Sequence, residues 1–234
     1  MSGKTIIITG ADGALGRVVA ALLLEKGYIL RASAVNEKSL ATLGSLFPDV
    51  INKTLFPMVA DLSKEADVEA LVGNDPNIAG LVHLAGGYKP GKSVSDYSFE
   101  DYEFLFNLNA LPTFLLLKHT VQILKKNNGG SIITIGAKPA IYPAAGNAVY
   151  AASKSAVVTL TLSVAEEGRE ADIRANCIVP ATLQTPNNLS WATPEQYKTF
   201  TPTSDVADVI LYLLSDAAKG ITGTVIPMYN KINT

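Results

Sequence analysis

Short apolar runs alternate with helix-patterned segments along almost the whole 234-residue chain, and that alternation leaves few folds open. Residues 4–9 (KTIIIT), 28–34, 54–60, 79–84 (AGLVHL), 131–136 (SIITIG), 173–179 (IRANCIV) and about 222–228 read as strands. Between them, 15–26, 36–46, 64–72, 101–126, 148–168 and 204–214 carry apolar residues at helical spacing. Strands joined by helices pair in parallel through right-handed crossovers. Composition agrees: 48% of residues are hydrophobic and 17% charged, against about 25% charged in an average soluble chain, as expected of strands buried on both faces. No linker, repeat or low-complexity segment divides the chain. The expectation is an α/β fold, a single doubly wound (Rossmann) parallel sheet with helices on both faces, spanning 1–234 as one domain. Residues 187–203, with Pro194, Pro202, Trp191, Tyr197 and Phe200, read as an irregular lid.

Charge and cysteine content exclude several classes of function. Nineteen basic against twenty-one acidic residues give a net charge of −2, with no cluster of Lys or Arg, so no nucleic-acid partner is expected. No uninterrupted apolar run reaches the ~18 residues of a membrane helix, and the start (MSGKTIIITG) lacks a signal peptide's apolar core, so no membrane partner is expected. Cys177 is the sole cysteine, which points to a reducing cytoplasm. No metal site is expected.

After the first strand the chain reads Thr9-Gly10-Ala11-Asp12-Gly13-Ala14-Leu15-Gly16 and enters a helix. Glycines at that junction let the backbone turn tightly against a pyrophosphate, and the helix N-terminus offers free N–H groups and partial positive charge. The spacing G-x-x-G-x-x-G differs from the usual dinucleotide fingerprint, so a purely structural turn is the plainer alternative. An acid about twenty residues on, the usual partner of the ribose 2′-hydroxyl, is missing: the second strand ends Ser33-Ala34-Val35-Asn36. Asn36, Lys38 and Arg17 are candidates to meet a 2′-phosphate, which gives a slight lean to NADPH; solvated helix surface is the alternative for both cations.

Tyr150 and Lys154 stand four apart at the start of a helix, and so share a face. An ammonium beside a phenol favours the phenolate, which predicts a lowered pKa and a proton donor working near neutral pH.

With these pieces on the page, the chain resembles the short-chain dehydrogenase/reductase family over nearly its whole length. TGADGALG is similar to the family's cofactor turn. Asp61-Leu62 resembles the pair that meets the adenine, His83-Leu84-Ala85-Gly86 stands where the family has Asn-Asn-Ala-Gly, and Asn109 falls at its helix asparagine. Pro180-Ala181-Thr182-Leu183-Gln184-Thr185 resembles the segment that holds the nicotinamide carboxamide. The resemblance implies Tyr150 as proton donor, Lys154 as its tuner and ribose ligand, and Asn109 holding a relay water. It implies NAD(P)H held by Gly10, Asp12, Gly13, Leu15, Gly16, Asn36, Asp61, Leu62, Ala85, Gly86, Tyr150, Lys154, Pro180, Leu183 and Thr185. An N-cap is the alternative for Asp61, a capping or bend role for Asn109, and a core residue for Cys177; His83 is given no catalytic part.

One element of the pattern is missing. The family's catalytic serine stands thirteen positions before its tyrosine, and here that position is Ala137. Losing one oxyanion donor typically costs about 2.7–4 kcal/mol. The dihydropteridine reductases, a branch of the family, also lack that serine, and Ala85-Gly86-Gly87-Tyr88, Gly136-Ala137-Lys138 and Thr182-Leu183-x-Thr185-Pro186 resemble theirs. The expectation is therefore hydride transfer to a conjugated ring such as a quinonoid dihydropterin, with Tyr88, Ala137, Lys138 and Trp191 lining the substrate site. Two alternatives stay open: a carbonyl reductase or alcohol dehydrogenase in which Lys138, Asn147 or water replaces the serine, and a nucleotide-binding regulator without catalysis. The resemblance also implies a homodimer or homotetramer.

Overall fold

The computed structural model describes residues 3–89 and 91–232. Seven strands form one parallel sheet: β1 (Thr5–Thr9), β2 (Ile29–Ala34), β3 (Leu55–Val59), β4 (Ile78–His83), β5 (Gly130–Ile135), β6 (Ile173–Pro180) and β7 (Thr224–Met228). Their spatial order is β3-β2-β1-β4-β5-β6-β7. The helices between them are α1 (Ala14–Glu25), α2 (Glu37–Leu46), α3 (Glu65–Val72), α4 (Phe99–Lys126), α5 (Ala148–Glu167), α6 (Pro186–Leu189), α7 (Pro194–Tyr197) and α8 (Thr203–Leu214). Every strand and long helix read from the sequence is present, with ends shifted by one or two residues. The segment 187–203 departs from the irregular reading. It holds the helical turns α6 and α7, because Thr185 and Thr193 each cap a turn that begins on a proline.

β1 shows why the strands are apolar throughout. Ile6 and Ile8 face one layer with Val19, Leu23, Val206 and Ile210, from α1 and α8. Ile7, between them, faces the other with Leu71, Leu116 and Leu124, from α3 and α4. Alternate residues of one strand thus feed two cores, which is the period-two rule applied to a sheet covered on both sides. Pro57 in β3 and Pro227 in β7 lie within the two edge strands, where a missing N–H breaks no central ladder, and the internal strand β6 carries its proline, Pro180, only as its last residue.

α5 is 20 residues long and apolar enough to match a membrane span in length and composition. It packs on α4 and β6, and its buried side includes Ser153 and Lys154. The sheet order reverses between β1 and β4: successive strands run outward from β1 through β2 to β3, and the next returns to its other side. Ligands of doubly wound sheets bind beyond the carboxyl ends of the strands at such a switch point.

Candidate active site

The turn after β1 is built for close approach. Gly10 lies at φ +67°, and a Cβ on Gly16 would fall 1.9 Å from the carbonyl oxygen of Gly10. α1 begins at Gly13 with no side-chain cap and no acidic residue in its first turn, so its N-terminal N–H groups are left for an anion. Leu15 packs back on the core. Beside this turn a cleft of about 350 Å³ runs from Asp12, Ser33, Val35, Ala60, Asp61, Leu62 and Ser63 past Gly10, Ala85 and Gly86. These features fit a dinucleotide: an uncapped helix end for the pyrophosphate, and a cleft leading from it past the tips of β2 and β3. The cleft floor on α4 (Phe104, Asn107, Leu108 and Pro112) was not read from the sequence, because no short motif marks it. A larger cavity, about 600 Å³, lies at the opposite end of the sheet, around Lys4, Asn127 and Arg174, far from this turn.

Asp61 does not cap α3, whose first-turn cap is Lys64. Its carboxylate accepts the N–H of Ser63 at 3.0 Å and the Ser63 hydroxyl at 2.7 Å, and these bonds hold its pKa below the usual value. Asn36 caps α2 by accepting the N–H of Ser39 at 2.9 Å, and Arg17 Nε donates to the backbone carbonyl of Asp12 at 2.9 Å. Lys38 is exposed.

At the head of the switch point the expected catalytic residues come together. Asn109 is buried on α4; its Oδ1 accepts the N–H of Gly87 at 3.0 Å, and its Nδ2 donates to Gly87 O and to Ser153 Oγ, each at 3.1 Å. A Cβ on Gly86 would lie 2.8 Å from Asn109 Oδ1 and 3.0 Å from Lys154 Nζ, so only glycine lets the backbone pass between them. Lys154 Nζ donates to the carbonyl of Ile135 at 3.0 Å. Burial lowers its pKa to about 8.

The expected acidification of Tyr150 is not found. Burial, with a smaller contribution from Tyr88, pushes its phenol up to about 12. Desolvation disfavours the phenolate, and Lys154, itself buried and bound to Ile135, does not offset it.

His83, Thr9 and Thr113 form a chain that the sequence did not announce. Thr113 Oγ1 donates to the carbonyl of Asn109 at 2.7 Å, so it must accept from His83 Nε2 at 3.1 Å. His83 Nδ1 then accepts from Thr9 Oγ1 at 2.7 Å, and Thr9 Oγ1 in turn accepts the N–H of Ala85 at 3.1 Å. The imidazole is neutral, protonated on Nε2, and burial lowers its pKa to about 3. One signal was available: Thr9 and His83 are register partners at the ends of neighbouring strands.

Ala137 is buried and starts the one-turn 3-10 helix after β5. The Lys138 ammonium lies over the Tyr229 ring, 5.6 Å from the centroid. Tyr88 is exposed, meets Tyr150 edge-on, and donates from its hydroxyl to Asn147 Oδ1 at 3.3 Å. Trp191, also exposed, packs on Phe200 and donates from Nε1 to Asn188 Oδ1. Pro180 closes β6. Leu183 bridges to Thr201, and Thr185 caps α6, so the segment expected at the nicotinamide is tied to the chain leading into α8. Cys177 is fully buried in the core, as read. Among the described residues no cluster of His, Cys, Asp or Glu could hold a metal ion.

Comparison with known proteins agrees with this geometry. Residues 4–196 match the model of the family described as short chain dehydrogenase. Dehydrogenase/reductase SDR family member 6 of Danio rerio is 29% identical over 239 residues, covering 96% of this chain and 95% of that protein. The 2,3-dihydro-2,3-dihydroxybenzoate dehydrogenase of Bacillus subtilis is 30% identical over 245 residues, covering 95% and 93%. Among solved structures, a short-chain type dehydrogenase/reductase from Mycobacterium ulcerans superposes with a TM-score of 0.90 at 25% identity, covering 99% of this chain and 90% of the other.

Proposed function

The chain belongs to the short-chain dehydrogenase/reductase family, and from that premise we propose that it is an NAD(P)H-dependent reductase of flat, conjugated cyclic substrates, of which a quinonoid dihydropterin is the type. The observation that carries this reading is the pairing of Ala137 with Tyr88. Where the family places an oxyanion donor there is a buried methyl group, and beside the catalytic phenol stands an exposed aromatic ring. Hydride can add to an electron-poor conjugated ring without creating a localised alkoxide, so the missing hydroxyl matters less there than for an ordinary ketone. The segments leaving β4, β5 and β6 expose Tyr88, Tyr142 and Trp191, a set of rings suited to stacking on a planar molecule. The name of the Bacillus subtilis relative, a 2,3-dihydro-2,3-dihydroxybenzoate dehydrogenase, supports a cyclic substrate.

In this reading the cofactor, when bound, supplies the hydride. Tyr150, protonated throughout the neutral range, supplies the proton, which suits it to reduction more than to base-catalysed oxidation. Asn109 fixes the backbone at Gly87 from both its amide N–H and its carbonyl, and Lys154, moored to the carbonyl of Ile135, serves the ribose side of the site. The segment 187–203 closes over the substrate, with Trp191 and Tyr197 both packed on Phe200. One observation favours a second reading, reduction of an ordinary carbonyl: the Asn147 carboxamide and the Tyr88 hydroxyl lie together beside Tyr150 and offer donors in place of the serine. We extend the proposal to assembly as a homodimer or homotetramer, through exposed Phe99, Tyr102 and Phe114 of α4 and Ala152 of α5.

The deciding experiment follows NADH and NADPH consumption with freshly generated quinonoid dihydropterin beside a panel of ketones, aldehydes and acyl thioesters. The expected result is turnover of the planar ring, abolished in Tyr150→Phe combined with Lys154→Ala. Turnover confined to acyclic carbonyls would overturn the reading.

A further inference from the structure

The cofactor cleft carries a carboxylate that the order of residues along the chain hides. β2 ends at Ala34 and passes through Val35 and Asn36 into α2, with no acid among them. Yet Asp12, on the turn between β1 and α1, lines the same cleft as Ser33 and Val35. Its Oδ2 accepts a hydrogen bond from Ser39 Oγ at 2.6 Å. Ser39 is buried in the first turn of α2, so this bond fixes the Asp12 carboxylate against the start of that helix.

The same helix start is poorly suited to a phosphate. The Asn36 carboxamide oxygen already accepts the N–H of Ser39, and Glu37 adds a second carboxylate in the first turn. Arg17 gives its Nε to the backbone carbonyl of Asp12, and Lys38 is exposed to water.

We propose that Asp12, held in place by Ser39, makes this chain select NAD(H) over NADP(H). A ribose diol offers two hydroxyl donors to a carboxylate acceptor. A 2′-phosphate instead brings negative charge into a region that already holds Asp12 and Glu37. The selection therefore comes from the glycine turn, and it reverses the lean to NADPH that the missing acid at the β2 tip suggests. It rests on the family's use of a nicotinamide dinucleotide.

The test is direct binding, read as nicotinamide fluorescence when the purified chain is titrated with NADH or NADPH. The expected result is NADH at least about tenfold tighter at low ionic strength, with a gap that narrows as salt screens the charges. Asp12→Asn keeps an acceptor for Ser39 and removes the charge, and should tighten NADPH binding towards that of NADH. Ser39→Ala, which frees the carboxylate, should narrow the gap from the other side, and it serves alone should Asp12→Asn not fold. Wild-type chain that binds NADPH as tightly as NADH overturns the proposal, as does an unchanged ratio in a variant whose melting curve shows it folded. Failure of both dinucleotides to bind overturns it together with the cofactor reading, which separates the two failures.

Discussion

Lys154 donates to the backbone carbonyl of Ile135 at 3.0 Å, so its ammonium is moored to the end of β5 and buried. Burial brings its pKa down to about 8 while pushing Tyr150 up to about 12. The titration that limits reduction at high pH is then the lysine's. The kcat/KM for reduction should stay level through neutral pH and fall about tenfold per unit above pH 8, as Lys154 loses its charge. In Lys154→Arg the rate should be lower but that limb should vanish, since guanidinium does not titrate in this range. A pH–rate profile of both proteins checks this; a limb that persists in Lys154→Arg assigns the titration to another group.

His83 makes the fold sensitive to acid. Its pKa is near 3 when folded, against 6.5 when unfolded, so the unfolded chain binds more protons between those values. The stabilisation is fully present above pH 6.5 and is lost as pH falls towards 3. Each unit of the difference contributes about 1.4 kcal/mol, so roughly 2–3 kcal/mol should be lost by pH 4.5 through this side chain. Urea unfolding of wild type and His83→Asn at pH 7 and 4.5 measures it. The asparagine variant should lose less stability on acidification, by about that amount.

The fold was legible because its signals are local. The Ile6–Ile8 run, the glycine junction at 10–16 and the helical spacing of α4 and α5 each lie within a few residues. Tyr150, Lys154 and Asn109 were legible as types at spacings, and the structure brings them to one end of the sheet. What stayed hidden depends on contacts between distant segments. Asp12 meets Ser39 across 27 positions, and His83 meets Thr113 across 30. The Tyr150 phenol was misread for a related reason: a pair four residues apart shows the neighbouring charge but not how deeply both groups are buried. Two helical turns in 187–203 escaped notice because their cue is a threonine before a proline, which also reads as a loop.

Ala137 offers a gain-of-function test of the missing hydroxyl. The residue is 7% exposed and precedes a short helical turn, a position where serine is well tolerated. Ala137→Ser should raise kcat/KM for ordinary ketones by ~10²-fold, the usual weight of one oxyanion donor, and leave reduction of a conjugated ring within a few-fold of wild type. Comparing the two substrates in the two proteins gives the answer. An equal gain on both would show that the planar substrate also needs the donor, against the proposed selectivity.

Tyr88 separates stacking from hydrogen bonding at the same position. Its ring lies 5.0 Å from that of Tyr150 at an interplanar angle of 84°, with 57% of its surface exposed. An aromatic contact contributes about 0.5–1.5 kcal/mol beyond area burial, which corresponds to roughly a two- to tenfold effect on affinity. Tyr88→Phe keeps the ring and loses only the hydroxyl bond to Asn147, so KM for a planar substrate should barely move. Tyr88→Ala removes the face, and KM should rise several-fold with kcat largely retained, because the phenol proposed to donate the proton, Tyr150, is unchanged. Steady-state kinetics of the two variants decide between the roles. If Tyr88→Phe instead lowers kcat on carbonyl substrates, the hydroxyl is acting as the substitute donor, and the second reading of the site gains at the expense of the first.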